Sequence, residues 1–395
     1  MENLIRYLIF LVVSILAYWF LLPSKWRPPF LLAISLLFIA LFNVQYIPYF
    51  LIHIGLVYIA GLYIEKGGRK KLLLILILVW LIGNLCFFKY GELLFRAIIE
   101  FGSPFFPTPK GELPTLLLPL GISYIIFRCI HYIIEVYRKK VSRGSFIHFA
   151  LYVLFFPTFL AGPVERFQRF HTQTLGIKGL DLSNVNQGLF RILLGVVKKF
   201  VLADHLARWV IPALQSPENY PRLLVLLFIY GTAIQVYLDF SGYTDMALGV
   251  ARLFGYQIME NFNRPFFQRN IGLFWRNWHI SVYSWIRDYF FFPLFGYRAS
   301  TLKIYIGIFL TMVVFMLWHK GSLNFLILGV YNGLGLVLWQ FFQEIKRRFP
   351  AVRRWASKPF FNPVSIFLTF NFVSFGFLVF YFDLSHVYKI FNELF

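Results

Sequence analysis

The tightest constraint on this chain is the number and length of its apolar runs. They fall at about 7–22, 30–43, 47–64, 72–88, 115–134, 146–162, 188–203, 222–238, 303–318, 324–342 and 364–382, and are rich in Leu, Ile and Phe. Most are too long for buried strands, and an α-helix needs about 20 residues to cross the hydrocarbon core of a bilayer. A membrane β-barrel would instead show segments of about 10 residues with alternating hydrophobicity. The pattern predicts an all-α, polytopic integral membrane protein with about 10–11 transmembrane helices and additional re-entrant or interfacial helices.

Composition agrees. Apolar residues make up 59% of the chain and charged residues 14%, against about 45–50% and 25% in soluble domains. That excludes a soluble globular enzyme, a disordered chain and a disulfide scaffold. Cys86 and Cys129 lie in apolar runs and read as buried small hydrophobes. The N-terminus lacks a basic leader and a cleavage site, so its first run reads as a retained span.

The 38 Lys and Arg outnumber the 17 Asp and Glu, for a net charge of +21. Many are clustered: Lys66, Arg69, Lys70, Lys71; Arg138, Lys139, Lys140, Arg143; and Lys346, Arg347, Arg348, Arg353, Arg354, Lys358. Each cluster follows an apolar run and reads as a cytoplasmic loop under the positive-inside rule. The loop at about 91–114, with Pro104, Pro107, Pro109 and Pro114, is then extracytoplasmic. Short basic loops between spans argue against nucleic acid as a partner and for the lipid bilayer. The chain reads as one membrane domain, 1–395, with N-terminal helices at 1–114, a core at 115–342, and a basic loop and last span at 343–395.

Ionisable residues and breaks within apolar runs mark functional sites. Four constellations stand out. In Phe155–Phe170, Pro157 and Gly162-Pro163 interrupt an apolar run before Glu165-Arg166, which also reads as a helix end with a surface ion pair. In Tyr237–Met246, Asp239 and Asp245 flank a Ser241-Gly242 break beside Tyr243; such a break suits an ion site or a shaped cavity, and Asp245 also reads as a helix cap. In the third, Trp275, His279, Tyr283 and Arg287 recur every four residues and share one face of a helix that also carries Arg276, Asn277, Trp278 and Asp288. In the fourth, Trp318-His319 ends a long apolar run before Lys320-Gly321-Ser322, followed by Asn332-Gly333. An imidazole placed there can take a proton from a hydroxyl, which is general-base chemistry. Phosphate-binding loops, metal-ligand motifs and Gly-x-Ser-x-Gly elbows are absent from the sequence.

These motifs, in this order, resemble the membrane-bound O-acyltransferase (MBOAT) superfamily. The branch they resemble comprises the bacterial alginate and peptidoglycan O-acetylation proteins and the teichoic-acid D-alanylation membrane protein. Leu120–Tyr124 with Phe127, Phe156–Pro163, Asp239–Met246, Phe274–His279 with Trp285–Tyr289, and Leu317–His319 carry the resemblance. Two departures are Lys320, where the family often has Gly, and Asn332-Gly333, where the acetylation branch often has His-Gly. The resemblance implies a fold around a central cavity, with His319 catalytic and His279 supporting it. It places Asp239, Ser241, Tyr243, Asp245, Trp275, Arg276, Asn277, Trp278, Arg287, Asp288, Trp318 and Asn332 along that cavity, with no metal and no bound cofactor.

The implied reaction moves an acetyl or D-alanyl group from a cytoplasmic thioester to a hydroxyl of an extracytoplasmic cell-envelope polymer or its intermediate carrier. The thioester is an acyl carrier protein phosphopantetheine or acetyl-CoA; Glu165-Arg166-Phe167 with Arg169-Phe170 resembles the D-alanylation style and Asp239–Met246 the acetylation style, and together they lean slightly towards acetyl. An extracytoplasmic transferase is a further implied partner, and the cytoplasmic membrane the implied location. The competing readings are an ion-coupled transporter using Asp239 and Asp245, and a non-catalytic scaffold for an extracytoplasmic transferase.

Overall fold

The computed structural model describes residues 2–67, 69–102, 119–141, 144–177, 179–296, 298, 300–356 and 358–395. The proline-containing loop at 104–114 and Arg143 lie outside them. Among the described residues the chain is helical, and its extended pairing is confined to a bridge between Phe262 and Trp278. Among the described residues seven helices are long and apolar enough to cross a membrane: Ser24–Asn43, Tyr46–Lys66, Lys70–Phe95, Arg222–Leu253, Thr301–His319, Leu323–Arg348 and Phe361–Tyr381. The protein is an all-α polytopic membrane protein. The remaining apolar runs build shorter or altered helices. Ile5–Leu21 and Phe146–Thr158 are short. The run at 188–203 passes from α-helix to a π-helix at Val197–Ala203.

The chain forms two compact units. The first comprises Met1–Leu193 and Asp245–Met259. Its interior is polar where the chain breaks. The Arg128 guanidinium is 1% exposed and donates to the carbonyls of Tyr152, Val153 and Thr158 and to Thr158 Oγ1, at 2.7–3.2 Å. The Tyr152 and Val153 carbonyls are among those that a helix ending at Leu154 leaves without an intrahelical donor. Glu165 is 2% exposed; its carboxylate accepts from the backbone N–H groups of Arg166 (2.8 Å) and Met259 (2.7 Å). It therefore fastens an interior loop, and it also pairs with half-exposed Arg169 at 3.9 Å. Gly162 is required here, because a Cβ would lie 2.5 Å from Thr158 Cα.

The second unit comprises Leu194–Thr244 and Glu260–Phe395. Thr301–His319 and Leu323–Arg348 form a tight hairpin. Gly329 and Gly333 sit one turn apart on its second helix. A Cβ at Gly329 would lie 2.7 Å from Val313 Cα, and one at Gly333 would lie 3.0 Å from the Phe309 ring. Small residues spaced by four let membrane helices approach closely, where packing rather than water exclusion drives association. His319 is the last residue of the first arm, so this packing sets its position.

Candidate active site

The site lies in the second unit. His319 ends one helix, and His279 lies between two short ones, Ile271–Asn277 and Ile280–Ile286. Their ring centroids are 6.4 Å apart. Aromatic rings wall the pair. Phe315 lies 5.4 Å from His319 and 6.2 Å from His279; Trp318 lies 4.6 Å and 6.2 Å from them. Phe325 and Phe380 flank His319 at 6.2 and 6.0 Å, and Phe240 meets His279 edge-on at 4.8 Å. Trp275 reaches the cluster through Phe315, 5.5 Å away.

His279 is 1% exposed, and its Nε2 has no hydrogen-bond partner within the protein. Burial, and then neighbouring His319, hold the imidazole well below its usual pKa, so it is neutral at pH 7. His319 is partly exposed. The arrangement offers two imidazoles, one buried and one partly exposed, among aromatic rings, a setting in which proton transfer and oriented hydrogen bonds gain strength.

The expected four-residue stripe from Trp275 to Arg287 does not form one helical face. The helix stops at Asn277 and restarts at Ile280, with His279 in a left-handed conformation (φ 46°, ψ 49°). Arg276 and Arg287 are exposed, and Arg287 Nε pairs with Asp288 at 2.8 Å. Trp278 turns into an aromatic layer, stacked on Phe274 at 5.5 Å. The Asn277 side chain donates to the Leu273 carbonyl at 2.8 Å.

The expected break at Ser241-Gly242 is also absent. Arg222–Leu253 runs through it unbroken, so Asp245 caps no helix and the broken-helix ion site loses its geometric basis. Gly242 serves close packing: a Cβ there would lie 2.8 Å from Lys199 N and 2.9 Å from the Gly195 carbonyl oxygen. The two carboxylates go separate ways. Asp239 pairs with Lys199, which also reaches Asp204 at 2.8 Å. Asp245, within the first unit, pairs with Arg191 at 3.1 Å. Ser241 is buried with its hydroxyl lacking a protein partner, and Tyr243 is half-buried. Asn332 is buried in the hairpin, donating to the Leu328 carbonyl at 2.9 Å. Of the expected residues, the structure thus brings together His279, His319, Trp275 and Trp318. Among the described residues no group of three or more His, Cys, Asp or Glu could hold a metal.

Comparison with known proteins sets this site in context. The membrane-bound O-acyltransferase family matches over residues 35–382. The chain belongs to the membrane-bound O-acyltransferase family. It is accordingly an O-acyltransferase. A probable alginate O-acetylase of Pseudomonas aeruginosa is 33% identical over 372 residues, covering 92% of this chain and 69% of that protein. A peptidoglycan O-acetyltransferase of Helicobacter pylori is 29% identical over 409 residues, covering 94% and 75%. A teichoic acid D-alanyltransferase of Bacillus subtilis is 31% identical over 291 residues, covering 70% and 72%.

Sequence reading of this O-acyltransferase missed the wall residues Phe240, Phe315, Phe325 and Phe380, and Asn261, whose backbone and side chain both reach the His279 turn. With 50 Phe in the chain, the four rings carry no distinguishing signal. Asn261, in Glu260-Asn261-Phe262-Asn263, carries none either.

Proposed function

We propose that this chain transfers an acyl group from a cytoplasmic thioester to a hydroxyl of an extracytoplasmic cell-envelope polymer or its intermediate carrier, with His319 as the general base. Acetyl is favoured over D-alanyl, because the Pseudomonas aeruginosa and Helicobacter pylori relatives named for O-acetylation match over 92% and 94% of the chain and the Bacillus subtilis D-alanyltransferase over 70%. The observation that carries the reading is the pairing of His319 with a buried, neutral His279 inside an aromatic wall.

In this mechanism the acyl end of acetyl-CoA or of an acyl carrier phosphopantetheine enters the site of the second unit. His319 takes the proton as the hydroxyl oxygen attacks the thioester carbonyl carbon. The carbon–sulfur bond then breaks, and the proton passes to the departing thiolate, leaving ester and thiol. His279 donates or accepts a hydrogen bond that orients donor or acceptor. Asp239, Ser241 and Tyr243 lie along the neighbouring helix and are assigned to the acceptor approach. The cytoplasmic membrane and an extracytoplasmic transferase complete the reading.

The test is mass spectrometry of cell-envelope polymers from cells carrying wild-type chain or His319→Ala at equal membrane levels. The variant should lose ester-linked acyl groups to the level of cells lacking the chain, an effect of at least about a hundredfold. Near-normal acylation in the variant would refute the assignment. The mass of the released acyl group separates acetyl from D-alanyl.

A further inference from the structure

We propose that Asn261 positions His279 for acyl transfer, by capping the following helix in place of the histidine itself. The inference rests on the role given to His279 above. His279 occupies the N-cap position of Ile280–Ile286, where a side chain ordinarily accepts from the first free N–H groups of the helix. Its imidazole makes no such bond. Those donors are instead taken by a residue eighteen positions earlier.

Asn261 is 0% exposed. Its carbonyl accepts from Ile280 N at 2.9 Å. Its Oδ1 accepts from Ser281 N at 3.2 Å and from Ser281 Oγ at 2.9 Å. On the other side of the histidine, Asn263 N donates to the Asn277 carbonyl at 3.0 Å, and Phe262 bridges to Trp278. His279 is thus bracketed before and after by one short extended segment. A non-glycine residue keeps a left-handed backbone only where its surroundings over-determine it, and these bonds do so. The consequence is chemical. Relieved of capping, the imidazole turns between Phe240 and Phe315 towards His319, with Nε2 available to a substrate. Asn is suited to this position because one short side chain supplies an acceptor for two donors of the same residue.

The experiment uses the full chain, with two readouts. The first is the initial rate of polymer acylation in cells at matched protein levels. The second is the imidazole signal of His279 in the ¹⁵N-histidine spectrum of the chain in lipid nanodiscs, assigned by its loss in His279→Asn. Asn261→Ala should lower the rate about tenfold and shift or split the His279 signal, leaving that of buried His131 in place. Ser281→Ala, which removes a single bond and keeps the backbone bridge, covers the case in which Asn261→Ala does not fold. It should move the same signal and lower the rate about two- to threefold. A rate loss with an unmoved His279 signal overturns the proposal, as does a moved signal with an unchanged rate. Full activity in His279→Ala would instead overturn the role of His279 itself, and the positioning role with it.

Discussion

The backbone of His279 separates its local cost from its chemical use. A left-handed conformation costs an ordinary L-residue about 1–2 kcal/mol, whereas Asn tolerates it and a β-branched residue suffers most. His279→Asn should therefore keep a thermal midpoint close to wild type, and His279→Val should lose about 1–3 kcal/mol; both should lose acylation. Thermal unfolding of purified chain in detergent, beside the acylation rate, checks this, and equal midpoints for the two variants would show that the turn is not strained. The turn also explains what was legible. The residue types Trp278, His279, Trp318 and His319 stood out in the sequence because imidazoles and indoles at the ends of apolar runs are unusual. The break at His279 did not, because a four-residue spacing fits an unbroken helix equally well. What breaks it is pairing with residues 261–263, a tertiary contact that no local window contains.

At the scale of elements, glycine has two meanings, and the sequence does not tell them apart. Gly242 reads as a helix break but lies within a continuous helix, where it admits the Gly195–Lys199 backbone. Gly329 and Gly333 do the same for the hairpin that carries His319. Gly329→Leu should push Val313 away and destabilise the chain by about 1–3 kcal/mol, with acylation falling further than stability because His319 shifts. A midpoint and rate both at wild-type values would show that the hairpin does not depend on close approach. The Lys199 bridge bears on the transporter reading. Its members are 30–40% exposed, so Asp239→Asn should cost under about 1 kcal/mol, with Asp204 retaining the ammonium. In sealed vesicles that variant should show no ion flux different from wild type; an Asp239-dependent flux would restore the transporter. The apolar runs made the helical class legible, yet not the number of full spans. One run's helix stops at Leu154 ahead of Pro157, and another passes into a π-helix at Val197–Ala203, although a hydropathy scan counts both as whole.

At the scale of the whole molecule, part of the basic excess behind the net charge of +21 gathers at helix ends away from the site. Lys66 ends one span, Arg138 follows a buried helix, and Lys346–Arg348 end another span before Arg353 and Arg354 on Pro350–Ala356. Cations at helix C-termini meet the negative end of the helix dipole, and basic segments beside spans ordinarily set their orientation. The same charge can also draw in an acidic donor, and ionic strength distinguishes the two roles. Orientation is settled when the chain inserts and does not respond to salt afterwards, whereas long-range attraction fades as the screening length falls from about 30 Å at 0.01 M to about 8 Å at 0.15 M. If the Arg347, Arg348, Arg353 and Arg354 patch recruits a carrier-protein thioester, the rate at subsaturating donor should fall about tenfold over that range. Replacing the four arginines with Gln should lower the low-salt rate to the high-salt value and leave turnover at saturating donor unchanged. A small thioester such as acetyl-CoA should respond far less, because it carries fewer charges over a smaller span. A salt-independent rate with the carrier-bound donor would assign the patch to topology and anionic lipid alone.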